Sequence, residues 1–286
     1  MKLENIAVLL TCHNRKDKTL LCLDAFFKAA KPLNYSFDVF LVDDASNDGT
    51  ADEVSNNFPT VKIIQGDGNL FWNKGMRLAW NTASTKNNYK YYIWLNDDSF
   101  LFNNAITHLF DCYHEFFNKN NKEVIVVGAC AKDHSTLKFS YGLRKQRKEL
   151  IPNGALQTGN MMNGNFVLVP KKIFKVVGNL SKNFTHAMGD YDYGLRALEL
   201  GFQITTTKEY VAICESNKNL PDWCNPKKNF FTRWKNFHSP LGLNIKEYKV
   251  FRKTFSFVLG YNYHLSIIKV YFRCFFPTIS IKIKEL

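Results

Sequence analysis

At 286 residues the chain is long enough to bury a sizeable core in one large domain, or in a domain with an extension. Its 45% hydrophobic and 22% charged residues exclude a disordered chain, and its formal charge of +13 asks for an anionic partner or a solvated basic face. The seven cysteines (12, 22, 112, 130, 214, 224 and 274) form no C-x-x-C pair, which argues against a disulfide framework and against zinc, and for reduced thiols in a cytosolic setting.

Residues 6–11 read as a buried strand, too short for a signal-peptide core, and the chain leaves it through Cys12-His13-Asn14-Arg15. Residues 20–30 have helical apolar spacing that stops near Pro32. A second strand, 37–42, runs into residues 43–50, which carry turn chemistry and a helix cap. Residues 61–65 form a third strand, Gly66-Asp67-Gly68-Asn69 follows, and the spacing predicts a helix over 74–83. The run from Tyr91 to Leu95 is a strand ending in Asn96-Asp97-Asp98-Ser99, with a helix at 105–117 beyond it. Strands are expected at 124–130, 138–142 and 165–169, with 144–148 an exposed charged loop. Pro170 opens a helix to Val177, and residues 189–201 form another, with Asp190 in its first turn and Gly201 as its C-cap. Two short strands, 203–207 and 210–214, finish the sheet system. Strands alternating with helices imply right-handed crossovers and a mainly parallel sheet, so the fold class is α/β.

In such a sheet, ligands bind at the carboxyl ends of the strands. Asp97 and Asp98 repel each other there, and oxygen-only ligation favours Mg²⁺ or Mn²⁺, although taken alone the same residues read first as a solvated turn or a helix cap. Asp190 and Asp192 also have two readings, since acids in a first turn stabilise the helix dipole. Around Gly68 and Asn69 the backbone either turns or approaches a ligand, Lys74 or Arg77 can pair with an anionic group, and Trp72 is either core or a stacking platform. Residues 157–165 are a flexible turn or a binding loop, in which Asn163 and Asn165 can each donate and accept.

The excess charge is C-terminal. Lys plus Arg against Asp plus Glu is 24 to 20 over residues 1–201 and 14 to 5 over residues 202–286. Aromatic residues are interleaved with it, and its longest uncharged stretch, 254–268, is too short and polar to span a bilayer. A basic, aromatic-rich helical segment suits an anionic membrane surface, or a solvated face over a Phe core. No nucleic-acid signature accompanies the charge, so no nucleic acid is expected.

Together these stretches resemble a family 2 glycosyltransferase of the GT-A fold, of the bacterial surface-polysaccharide type. Residues 7–15 resemble the family's first strand and nucleotide loop, and 41–50 its second-strand signature. Asn96-Asp97-Asp98 occupies the Asp-x-Asp position, and Gly189-Asp190 stands where the family has Glu-Asp. The resemblance implies a GT-A catalytic domain over 1–215, with a nucleotide half (1–100) and an acceptor half (101–215), and a basic helical extension over 216–286. It implies inverting, metal-dependent transfer from a UDP- or dTDP-linked sugar to a saccharide, lipid-linked at the cytoplasmic face of the inner membrane, where the extension would hold the protein peripherally. Asp190 would be the catalytic base, with Asp192 an acceptor-side carboxylate and the alternative base. Asp98 would bind the metal, with His186 or His238 as further ligands. Thr11, His13, Arg15, Asp43, Asp44, Gly68, Asn69, Lys74, Asn96 and Asp97 would contact the donor, and Trp72, Asn163 and Asn165 the acceptor. Asn96 replaces the family's first Asp, Gly189 replaces its Glu, and Phe230 stands where a processive synthase has Gln ahead of Arg233-Trp234, which favours single addition. Two rival readings are a sugar nucleotidyltransferase, whose glycine-rich phosphate loop is missing from the first strand, and a non-catalytic carbohydrate- or nucleic-acid-binding protein.

Overall fold

A computed structural model describes residues 4–31, 33–216 and 219–279. The expected helix stop at Pro32 lies outside the described residues, as does the basic tail from 280 onward. In chain order the elements of the first part are β1 (Glu4–Cys12), α1 (Lys16–Ala30), β2 (Tyr35–Asp43), α2 (Thr50–Asn57), β3 (Lys62–Gln65), α3 (Phe71–Lys86) and β4 (Tyr91–Leu95). There follow β5 (Phe100–Leu101), α4 (Ala105–Asn120), β6 (Val124–Ala131), β7 (Phe139–Tyr141), β8 (Leu143–Lys145), β9 (Lys148–Glu149) and β10 (Met161–Met162). Then come β11 (Phe166–Pro170), α5 (Lys171–Val177), α6 (Gly189–Glu199) and β12 (Gln203–Ile213). After a single 3-10 turn at Asp222–Cys224, the chain ends in α7 (Phe230–His238), α8 (Ile245–Phe255) and α9 (Tyr263–Phe275).

These elements form two compact units, one of residues up to 182 plus 189–216, the other of residues 183–188 plus those after 216. The first is built on a sheet of order β3-β2-β1-β4-β11-β6-β12-β5, with β7 added against β6. β3, β2, β1 and β4 are mutually parallel, and β11 runs against both β4 and β6. Because β11 reverses direction twice over, β6 and β12 point the same way as β4. The carboxyl ends of β1, β2, β4 and β12, and the start of β11, therefore share one edge.

Period-2 alternation explains why β1 reads as a continuous apolar run. Ile6, Val8 and Leu10 enter the layer built with Cys22, Leu23 and Phe26 of α1 and Leu109 and Phe110 of α4. Ala7 and Leu9 enter the opposite layer, with Met76 and Trp80 of α3 and Tyr193 and Ala197 of α6. Both faces are covered, as a parallel sheet requires.

Four expectations need correction. Residues 203–214 hold one strand, not two, because the polar stretch between Thr206 and Ala212 is absorbed as register irregularities against β6. The charged loop at 144–148 is a hairpin, with Arg144 paired to Glu149 across β8 and β9. α1 and α3 begin earlier than their apolar spacing, because their first turns are polar or sit at the site. β5, a two-residue edge strand against β12, had no detectable pattern.

The second unit buries Trp223, Cys224, Phe237, Ile245, Val270 and Cys274. Arg233, matched to its surroundings by its planar fork, is buried and donates from Nε to the Cys274 carbonyl at 2.8 Å. Glu247 accepts from both the backbone and the hydroxyl of Thr185, at 3.0 and 2.6 Å, which ties segment 183–188 to α8. Among the described residues no helix is long and apolar enough to cross a membrane.

Candidate active site

Three non-glycine residues of the loops at this edge have left-handed backbone: Asn14 (φ 50°), Ala45 (φ 56°) and Phe71 (φ 53°). Such conformations cost energy in bulky residues and persist where surrounding bonds over-determine them. The bonds here come chiefly from Asp44. Its carboxylate accepts the Gly68 N–H at 2.8 Å and the Leu70 and Phe71 N–H groups at 2.9 Å each, clamping the loop that leads into α3. The Asp44 carbonyl in turn bonds His13 Nδ1 at 2.6 Å. Asp43 is also buried, and its carboxylate accepts the Ser46 N–H at 3.0 Å. Thr11 lies under α3, where Gly75 allows the helix to close on its hydroxyl. Asn69 and Lys74 are exposed beside this loop.

The turn after β4 is fixed by its own backbone. Ser99 N–H donates to the Asn96 carbonyl at 3.0 Å, the Cys22 thiol reaches the same carbonyl at 3.2 Å, and Asn96 N–H donates to the Asn165 carbonyl at 2.9 Å. Arg15 spans the two carboxylates that follow, with Nη1 3.0 Å from Asp97 Oδ1 and Nη2 2.8 Å from Asp98 Oδ2. Asp97 is buried and its Oδ2 has no hydrogen-bond partner among the described residues. Burial pushes its carboxyl up to about 7, Arg15 pulls it back, and the neighbouring Asp98 adds to the rise. Asp98 is half-buried, and its Oδ1 lies 3.6 Å from the Cys214 thiol, itself 3.3 Å from Asn165 Nδ2.

Asn96 faces a different neighbour. The Trp72 indole N–H donates to its Oδ1 at 2.6 Å. The far side of the Trp72 ring rests on Gly164, where a Cβ would meet ring carbons at 2.5 and 2.7 Å and Asp190 Cβ at 3.4 Å. Asp190 completes this chain: its Oδ2 accepts the Gly164 N–H at 3.0 Å and its Oδ1 the Tyr191 N–H at 2.9 Å. Burial raises the Asp190 carboxyl to about 6, against the opposing pull of these donors. Asn163 receives Arg144 Nη1 at 2.5 Å and reaches the Tyr191 hydroxyl at 3.3 Å.

The sheet edge thus gathers Thr11, His13, Arg15, Asp43, Asp44, Gly68, Trp72, Asn96, Asp97, Asp98, Asn163, Asn165 and Asp190 in the first unit. Asp192 is placed elsewhere: two positions along α6 turns it away from Asp190, and its carboxylate is bound to Arg196 Nε at 2.8 Å. His186 and His238 belong to the second unit. Among the described residues no group of three or more His, Cys, Asp or Glu side chains is arranged to hold a metal ion. Sequence reasoning missed Gly164, Arg144 and Cys214. Cys214 was within reach, because it follows β12 at the same edge as Asp98 follows β4. Gly164 acts through its amide and its lack of a side chain, which leave no chemical signature.

A mixed, mostly parallel α/β sheet with acidic turns at the carboxyl ends of its strands defines a fold of the GT-A class. The search of solved structures supports that class, matching a mannosyltransferase, PcManGT from Pyrobaculum calidifontis, in complex with GDP-Man and Mn²⁺, at TM-score 0.50 and 16% identity over 77% of this chain. The match spans 59% of that structure's chain. The family model described as Glycosyl transferase family 2 matches residues 7–178, and the chain belongs to that family. Among curated proteins no match is found.

Proposed function

We propose that the protein is an inverting glycosyltransferase that moves one sugar from a nucleoside diphosphate sugar to a saccharide acceptor, with Asp190 as the general base. The observation that carries this reading is the continuous chain of contacts from Asn96 through Trp72 and Gly164 to Asp190. It brings the strand-end turn of the donor side within one tryptophan ring of a buried carboxylate. A base poised near neutrality suits deprotonation of a sugar hydroxyl, and Asp190, raised to about 6 and held in place by two backbone amides, has that character. Asp192, spent on Arg196, is the weaker candidate.

On the donor side Asp44 is occupied by three amides, so Asp43 is the carboxylate assigned to the imide of a uracil or thymine base, and His13 and Thr11 line the same loop. Asp98 and Asp97 fit a divalent cation: they are adjacent hard oxygen donors, and one buried Asp97 oxygen has no hydrogen-bond partner among the described residues. Mg²⁺ is commonly held by one or two carboxylates and completed by substrate phosphates. A bound Mg²⁺ or Mn²⁺ would neutralise charge on the departing diphosphate. Arg15, freed from the carboxylates, would add a second cation there. Trp72 and Gly164 shape the floor between donor and acceptor, and Asn163 and Asn165 offer amides to sugar hydroxyls. A lipid-linked saccharide at a membrane face is the acceptor class this reading favours.

A panel of UDP-, dTDP- and GDP-sugars, scored by thermal stabilisation with and without Mn²⁺ and then by donor hydrolysis, tests the proposal. Stabilisation by one nucleotide class, strengthened by the ion, is the expected result. A chain stabilised by none of them would sink the donor reading.

A further inference from the structure

Helix α9 is apolar on two opposite sides. Val270 and Cys274 are buried in the core of the second unit, with Tyr271 packed against it. At about 100° per residue, Leu265, Ile268 and Phe272 fall on the far side, next to Phe275, whose ring packs on Phe230 and Trp234 at centroid distances of 5.3 and 5.6 Å. All four are exposed, Ile268 by 62%. Phe276 and Ile279 beyond the helix are exposed as well, and Phe257, 96% exposed, stands with Val258 in the connection between α8 and α9. Single exposed apolar residues need no explanation, but several on one face of a helix mark an interaction surface. α9 has 13 residues, too few to span a bilayer.

The surrounding charge selects what covers this face. Residues 248–279 contain no Asp or Glu and five basic residues: Lys249, Arg252, Lys253, Lys269 and Arg273. Arg252 is held over the Tyr248 and Tyr261 rings at 5.0 and 4.6 Å, while Lys253 and Lys269 are exposed. A second copy of the chain would meet this face through a two-fold axis and set the acid-free segment against itself, like charge on like. An anionic bilayer surface satisfies both features, with acyl chains for the apolar face and lipid phosphates for the lysines.

We propose that Leu265, Ile268 and Phe272 of α9, together with Phe257 and the exposed Lys253 and Lys269 of the same acid-free segment, seat the protein in the plane of an anionic lipid bilayer. The inference uses no residue of the candidate active site and stands apart from the transfer reading.

Co-sedimentation of the full chain with phosphatidylcholine vesicles, with and without phosphatidylglycerol, tests it. Partitioning should be about 10-fold stronger onto the anionic vesicles and weaken with salt. The double variant Ile268→Ser with Phe272→Ser, and separately Lys253→Gln with Lys269→Gln, should each weaken it by about 10-fold. Because all four residues are exposed, thermal unfolding should be unchanged, which separates lost binding from misfolding. Equal binding to both vesicle types, no binding, or binding indifferent to the apolar double variant would each overturn the proposal. So would light scattering that finds a dimer, dispersed by the Ile268→Ser and Phe272→Ser changes, in a chain that ignores vesicles.

Discussion

Asp190 carries the sharpest consequence at the scale of single residues. Asp190→Asn keeps the side chain's size and can still accept at one atom, but it cannot take a proton. Its kcat should fall by about 10²–10⁴-fold with donor affinity little changed, as read from initial rates and nucleotide binding. In the unaltered protein the rate should rise with pH through about 6, as the carboxyl ionises, and then level off. The same shift sets the sign of the stability effect. An Asp raised in the folded state favours folding while protonated and loses that contribution as pH climbs from below 4 through about 6. Asp190→Asn should therefore melt at a higher temperature than the unaltered chain at pH 7, with the gap closing near pH 4. Arg15 behaves differently, since it offsets two carboxylates, one of them buried. Arg15→Gln should cost about 1–3 kcal/mol by denaturant titration, Arg15 being partly exposed. The loss should be larger at pH 8 than at pH 5, because the buried Asp97, already raised to about 7, is uncompensated only when ionised.

The Asp44 clamp shows how much of one element rests on one side chain. Asp44→Ala leaves the Gly68, Leu70 and Phe71 amides without their acceptor, and it removes what holds Phe71 at positive φ. Hydrogen exchange over residues 66–72 should quicken by at least about 10-fold, ahead of any change in the strands. This is also where the sequence was least informative. The apolar runs of β1, β4 and β6 and the acids at the ends of β2 and β4 were legible, because burial on both faces and a polar strand-end turn each leave a compositional trace. Asp43-Asp44 could be placed but not divided into roles, since which carboxylate the backbone captures depends on a loop 24–27 residues later in the chain. Trp72 could be read as platform or core. The structure puts its N–H on Asn96 and its ring on Gly164, a contact between segments about 90 residues apart that no periodicity encodes. The antiparallel course of β11 was equally hidden, because a strand buried on both faces reads the same in either direction.

For the molecule as a whole, the thiols offer a compact test. All seven cysteines are buried and none forms a disulfide. Burial pushes the Cys214 thiol up to about 12, with Asp98 adding to the rise, and it raises Cys112 in the same direction. Thiolate, not thiol, is the reactive form. A thiol-specific reagent should thus label the native chain slowly and all seven sites at once on unfolding, and reductant should leave the melting temperature unchanged. Fast labelling of several sites in the native state would contradict the burial described above.

The position of β11 bears on how the chain reaches this structure. β3, β2, β1 and β4 are joined by short helical crossovers and can assemble from the first 95 residues. The open edge of β4 is then closed by a strand that begins 71 positions after β4 ends, at Phe166, and that also bridges to β6. During synthesis the apolar edge of β4 waits, unpaired, until β11 emerges, and unpaired strand edges are where chains adhere to one another. A chain stopped before Phe166 would keep the loops after β1, β2 and β4 and still be the form that aggregates.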